Sequence, residues 1–154
     1  MRETRRKDRV IGDQETWDLL RRAKFGVLST VSAGGKPYGV PLNYCLGGDF
    51  IYFHCALEGR KVENLEHEKW VSFCVVGDTE VMPEKFGTKY ESAIATGRVE
   101  EVFGESKQAA LEGLVRKYSA DFLDEGLGYI RTLGGKTRVF RIKIQHLSGK
   151  ARRR

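Results

Sequence analysis

The residues best placed to do chemistry lie between positions 49 and 77. Residues 49–53 alternate and are rich in β-forming side chains. Glu58-Gly59-Arg60-Lys61 follows, residues 61–67 carry Val62 and Leu65 at helical spacing, and residues 70–76 return to strand composition. A strand that turns through glycine into a helix leaves backbone N–H groups without intrahelical acceptors. Those groups and the helix dipole favour an anion, and Arg60 and Lys61 add mobile charge at the same corner. The chemistry indicated is phosphate binding. On spacing alone, a solvated basic cap is the competing reading.

Other reactive side chains surround this unit. His54 ends the strand just before the corner. An imidazole changes protonation near physiological pH, which suits proton delivery; a packed structural histidine is the alternative. Cys45, Cys55 and Cys74 are odd in number, form no C-x-x-C pair and sit in apolar strand-like contexts. They read as buried free thiols of a reducing compartment, with a reactive Cys55 as the alternative. His67 and His146 read as surface or structural, and no His/Cys/Asp/Glu spacing resembles a metal site. No G-x-G-x-x-G follows a strand, so a built-in nicotinamide-binding unit is not supported.

The elements that must position these groups are mostly strands. Asp13 is a candidate N-cap for a helix reaching Lys24, with Trp17, Leu20 and Ala23 along one face. Strands are expected at 25–31, 38–46, 50–56 and 70–76, with Ser32-Ala33-Gly34-Gly35 as one turn and Pro41 marking an edge or bulge. Residues 79–88, with Pro83 and Gly87, read as a loop, and 90–103 as a long strand with a bend at Gly97. Helices are expected at 105–118 and 122–133, the second weakened by Gly126 and Gly128. A last alternating strand covers 137–147. Strands joined by Gly-rich turns, with helices interspersed irregularly, predict a mostly β fold with α additions: an antiparallel barrel with helices packed outside.

At 154 residues a single domain is expected. No apolar run is long enough to span a membrane, and no hydrophobic segment follows the basic start, so a cytoplasmic protein is expected. The net charge of +6 is unevenly placed. Residues 1–9 carry +3 and residues 150–154 carry +4, which leaves −1 for 10–149. The expected organisation is a basic lead-in (1–9), a near-neutral folded domain (10–149) and a basic tail (150–154). Short basic ends of this kind read as solvated, binding nucleic acid through weak tail electrostatics at most.

The run His54-Cys55-Ala56, Glu58-Gly59-Arg60-Lys61, Asn64-Leu65 and Val71-Ser72-Phe73 resembles the signature of the FMN-binding split-barrel superfamily. Within it the chain is most similar to pyridoxamine 5'-phosphate oxidase-related proteins of the Nim, or nitroimidazole-resistance, type. Gly26-Val27-Leu28-Ser29-Thr30, Lys36-Pro37-Tyr38 and Val40-Pro41-Leu42-Asn43-Tyr44 extend the likeness upstream, and residues 90–99 extend it downstream. The order and spacing of the motifs, over about residues 8–148, carry the resemblance.

The resemblance implies a split β-barrel homodimer with FMN in the groove between subunits. Lys61 then pairs with the FMN phosphate, Arg60 assists as a forked donor, and Cys55 and Ala56 lie beside the phosphate, Ala56 through its main chain. Val40, Pro41, Leu42 and Asn43 lie along the flavin ring, Asn43 serving its polar edge. Ser92 and Ile94 reach the flavin across the dimer, although Ser92 also reads as an ordinary strand serine. His54 lies close to the ring as the catalytic candidate. The implied function is an FMN-dependent oxidoreductase acting on a small-molecule substrate such as a nitro compound, with a nicotinamide electron donor. A non-catalytic flavin- or haem-binding carrier or sensor of the same fold is the alternative, and a nucleic-acid-associated protein a third. One phosphate corner predicts FMN rather than FAD. Oxidation of pyridoxamine phosphate is not expected, because the arginines beyond Gly149 read as a tail rather than as part of a strand.

Overall fold

Alternation along the strands decides which side of the sheet each residue faces. The computed structural model describes residues 2–154. In chain order the elements are α1 (Asp13–Arg22), β1 (Gly26–Val31), β2 (Pro37–Leu42), β3 (Cys45–Gly47), β4 (Phe50–Cys55), α2 (Arg60–His67), β5 (Trp70–Met82), β6 (Gly87–Val102), α3 (Gly104–Tyr118), α4 (Leu123–Leu133) and β7 (Arg138–Arg152). The seven strands form one antiparallel sheet in the order β2-β1-β5-β6-β7-β4-β3. β2 and β3 are separated only by Asn43 and Tyr44, yet they occupy opposite edges. The sheet therefore curls until its edges approach, without hydrogen-bonding to each other. The result is a split β-barrel with helices outside.

Inward-facing residues fill the barrel. Leu28, Ile51, Phe53, Phe73, Val75 and Ile142 are fully buried, and the rings of Phe53 and Phe140 stack at 5.9 Å. Each such side chain contributes about 1.5–3 kcal/mol of burial free energy. α1 lays Leu19 and Leu20 on the same core. A second cluster forms outside the barrel, where Ala110, Leu111 and Leu114 of α3 and Ile130 of α4 cover the outward residues Cys45, Val102 and Val139. Tyr44 fastens the crossing between the two edges. Its hydroxyl donates to the Leu20 carbonyl, its N–H donates to the Tyr118 hydroxyl at 3.1 Å, and its ring meets Phe73 edge-on at 4.8 Å.

Several elements differ from expectation, each for a physical reason. Residues 38–46 form two strands, because the chain must leave one sheet edge at Leu42 and join the other at Cys45. Residues 79–82 and 87–88 are not loop. β5 and β6 continue as a paired arm from Thr79↔Tyr90 to Met82↔Gly87, and only the turn at Pro83–Lys85 interrupts it. Thr79, Glu80, Thr88 and Lys89 give the arm its polar composition, and of its paired residues only Met82 is buried. The last strand does not stop at 147. A register shift at Thr96/Gly97 makes Gln145 the extra residue, so His146 turns outward and Leu147 inward, and pairing runs on to Arg152. Glycine is required at 97, since a Cβ there would collide with the Lys143 carbonyl. The arginine at 152 therefore lies in a strand. The two basic ends also meet: Val10 bridges Lys150, and the Ile11 N–H donates to the Gly149 carbonyl at 3.2 Å. α1 starts one residue past its cap, Gly12 serving where Asp13 was expected, and ends at Arg22. Among the described residues no helix is long and apolar enough to cross a membrane.

Candidate functional site

The corner between β4 and α2 is built to leave donors free. Gly59 holds φ at +138°, a conformation that favours glycine, and no side chain caps the helix. A Cβ at Gly59 would meet nothing within 4 Å, so the space in front is open. The neighbouring carbonyls are tied back. Cys55 accepts from the Thr137 hydroxyl at 3.0 Å, and Leu57 accepts from Arg138 at 3.3 Å. Arg138 is itself held by Glu101 at 2.5 Å and Glu66 at 3.0 Å, and the hydrogen bond to Glu101 is the main reason its proton is bound more tightly than usual. The first backbone N–H of α2 to find a helical acceptor is that of Glu63, which bonds to the Gly59 carbonyl at 3.0 Å.

α2 is anchored to the β1–β2 hairpin. The buried Asn64 amide donates to the Thr30 hydroxyl at 3.0 Å, which donates to the Tyr38 carbonyl at 3.3 Å. The Arg60 guanidinium lies 4.3 Å from the centre of the Tyr38 ring. The basic corner is thereby fixed against β2, the strand that carries Val40, Pro41 and Leu42. His54 faces outward on β4, opposite Val139. Surrounding protein desolvates its ring, and the Lys61 charge adds to this, so its pKa falls below the ordinary imidazole value and the neutral form prevails at pH 7. Cys55 points into the barrel, where burial raises its thiol pKa, an unreactive setting. Ala56 is exposed at the start of the corner.

The outer face of β2, β1, β5 and β6 is bare. Pro41, Val27, Cys74 and Ile94 stand in one transverse row, and Ser92 stands opposite Val76 in another. Val27, Val31, Ile94, Trp70 and Val76 are 37%, 37%, 42%, 44% and 56% exposed. Pro41 and Asn43 line a shallow hollow of about 390 Å³ with Phe25 and Leu42. Val40 and Leu42 alternate with them and pack against the barrel core, so they offer a ligand main chain rather than an apolar bed. β1 and β5 pair only as far as Ser29↔Ser72. Beyond that point the strands enclose an apolar groove of about 420 Å³ lined by Val31, Pro37, Trp70 and Thr96. Sequence reasoning missed Trp70 and Val31. The available signal was that β1 is apolar on both faces, a pattern that calls for cover on both.

The fold thus brings His54, Cys55, Ala56, Arg60 and Lys61 to one corner, and Pro41, Asn43, Ser92 and Ile94 to one open face. Among the described residues, no hydrogen bond or ring contact links His54 to that second group within one chain. Among the described residues, no set of three or more His, Cys, Asp or Glu is placed to hold a metal.

Residues 12–151 match the family model of pyridoxamine 5'-phosphate oxidase. The chain belongs to this family. No curated protein matches it closely enough to transfer a function. Solved structures share the family fold at low identity. One is described as a candidate 5-nitroimidazole antibiotic resistance protein from Bacteroides thetaiotaomicron, with TM-score 0.74, 23% identity, and 92% of this chain and 86% of that one covered. A conserved hypothetical protein from Mycobacterium tuberculosis superimposes with TM-score 0.82 at 18% identity, over 97% and 90% of the two chains. An FAD and haem binding protein from Mycobacterium smegmatis gives TM-score 0.79 at 18% identity, over 91% and 71%. Proteins that share this fold therefore include one described as a nitroimidazole-resistance protein and one that binds FAD and haem.

Proposed function

We propose that the protein is an FMN-binding oxidoreductase that reduces small-molecule substrates, nitro compounds among them, and acts as a homodimer. The observation that carries this reading is the pairing of an open, cationic anion corner with a bare apolar sheet face reached from it along β2. A flavin mononucleotide has the matching two ends: one phosphate and one flat, largely apolar ring. The residues fit it. Lys61, Arg60 and the first N–H groups of α2 would hold the phosphate, with the Cys55–Ala56 main chain alongside. Pro41, Asn43 and the main chain of Val40 and Leu42 would receive the ring, and Ser92 and Ile94 of a second copy would close over it. Residues 10–149 would form this flavin-binding unit.

FMN, when bound, supplies a reversible two-electron carrier. The chain's own contribution is to orient it, to exclude water by covering the bare face, and to hold a proton at the His54 imidazole. A nicotinamide donor would supply the electrons, and the unpaired thiols fit a reducing, cytoplasmic setting. The outward position of His54, on the helix-covered side of β4, favours a second reading in which the protein carries flavin or haem without turnover. Anaerobic mixing of the FMN-loaded protein with NADPH or NADH, then with a nitroaromatic acceptor, separates the two. Bleaching of the flavin absorbance followed by its return on adding acceptor is expected. Flavin that stays oxidised with both donors defeats the oxidoreductase, and released cofactor that chromatographs as FAD defeats the choice of FMN.

A further inference from the structure

The positive charge that the sequence divides between its ends is gathered by the fold into one place. β7 carries its basic end along β6, with Lys150 opposite Ser92 and Arg152 opposite Tyr90, while Val10 and Ile11 bond back to β7. Between the two segments lies a hollow of about 470 Å³ walled by Arg6, Arg9, Arg152, Arg153 and Arg154, with Asp8 the single acidic wall residue. Its floor includes the buried apolar residues Ile11 and Ala151.

The arginines are not equally committed. Arg6 is taken up by Asp8, through bonds of 2.6 and 2.8 Å, and Arg153 by Glu15. Arg9 lies against the Tyr90 ring, 6.0 Å from its centre, and the Arg152 side chain donates to the Arg154 carbonyl at 3.1 Å. Among the described residues, Arg9, Arg152 and Arg154 make no ion pair with an Asp or Glu side chain. Three guanidinium groups whose charge no acidic side chain offsets surround one concavity, repel one another and focus a positive potential into it. A guanidinium fork matches phosphate oxygens two at a time, and the volume is that of a small-molecule site.

We propose that this hollow binds the diphosphate group of a small molecule. Three guanidinium charges match the roughly threefold negative charge of a diphosphate better than the charge of a single phosphate. A nucleic acid is a poorer match: its phosphates need an extended basic track, and residues 10–149 carry a net −1. The site is separate from the α2 corner, and the inference does not depend on the flavin reading.

The test is calorimetric titration of the flavin-free full chain with inorganic pyrophosphate, ADP, orthophosphate and a short oligothymidylate. Pyrophosphate or ADP should bind, with orthophosphate weaker by about tenfold or more. Arg9→Gln and Arg152→Gln should each weaken binding by about tenfold, while Arg21→Gln on the exposed face of α1 leaves it unchanged. Unaltered melting temperatures in the variants show that the fold is kept. ADP binding tighter than pyrophosphate marks a nucleotide as the source of the diphosphate; equal affinities mark the free anion. Affinities unmoved by both substitutions, or binding confined to the oligonucleotide, overturn the proposal.

Discussion

The two halves of the outer sheet surface obey the same alternation and have opposite fates. On the β3–β4–β7 half, the outward residues Cys45, Tyr52 and Val139 are packed by α3 and α4. On the β2–β1–β5–β6 half, the outward residues Val27, Trp70, Val76 and Ile94 are just as apolar, and among the described residues no helix covers them, so all four stay exposed. The covered half closes an apolar face within one chain and contributes to its stability. The bare half leaves in water a patch of the kind that monomers rarely expose, and so points to a partner copy and a ligand. The basic corner of α2 stands beside β2, the edge strand of that half, where Arg60 lies on the Tyr38 ring.

A charge placed on each half should break this comparison in different ways. Ile94→Arg on the bare half should abolish both dimer formation and FMN binding while the chain remains folded, because a charge buried in the interface costs several kcal/mol. Leu111→Ala under the covered half should cost about 2–5 kcal/mol of stability and leave FMN affinity intact. Equilibrium unfolding and flavin fluorescence, measured on both variants, give the two readouts. A folded Ile94→Arg dimer that still holds FMN would return the bare face to ordinary surface.

The corner should respond next most strongly. Lys61→Ala is expected to weaken FMN binding by about 2–5 kcal/mol, roughly 30- to several-thousand-fold, in a flavin-quenching titration. His54 should affect chemistry more than affinity. In His54→Ala, FMN stays bound while nitroaromatic reduction slows by about 10²–10⁴-fold. Its imidazole should titrate below the usual ~6.5 in the flavin-free protein and move upward when a phosphate neutralises Lys61, which NMR can follow. The sign for stability follows: because the folded state resists protonation of His54, its contribution is lost as pH falls below about 6.5.

The smallest effect belongs to the covered half. The Lys117 ammonium is buried without a hydrogen-bond partner, 3.7 Å from the centre of the Tyr44 ring, and burial pulls its pKa down to about 8. Its folded pKa lies below the unfolded value, so stability should rise with pH between about 8 and about 10.4. Lys117→Met should remove that slope and raise stability at pH 7 by about 1 kcal/mol, read from denaturant unfolding.

What could be read from the sequence divides along the line between local and remote contacts. The β4–α2–β5 unit is legible because its three elements follow one another in the chain, and Gly59, Arg60 and Lys61 lie together for the same reason. The break at Asn43 and Tyr44 is not, since it is set by Leu20, by Tyr118 and by the pairing of β4 with β7, all distant in sequence. The inward turn of Val40 and Leu42 is hidden because a one-residue change of register flips every side chain. The reach of β7 to Arg152 is hidden because the shift at Gly97 breaks the alternation on which the strand was judged. Trp70 looked like one more strand residue, and only the sheet order shows that its face is left open.

The central claim is that the bare face is completed by a second copy with flavin between them. Light scattering of the FMN-loaded protein at low micromolar concentration, with absorbance recorded on the same peak, tests it most directly. The account predicts close to twice the 17.5 kDa chain mass and one FMN for each chain. A single-chain mass that retains stoichiometric FMN would contradict it.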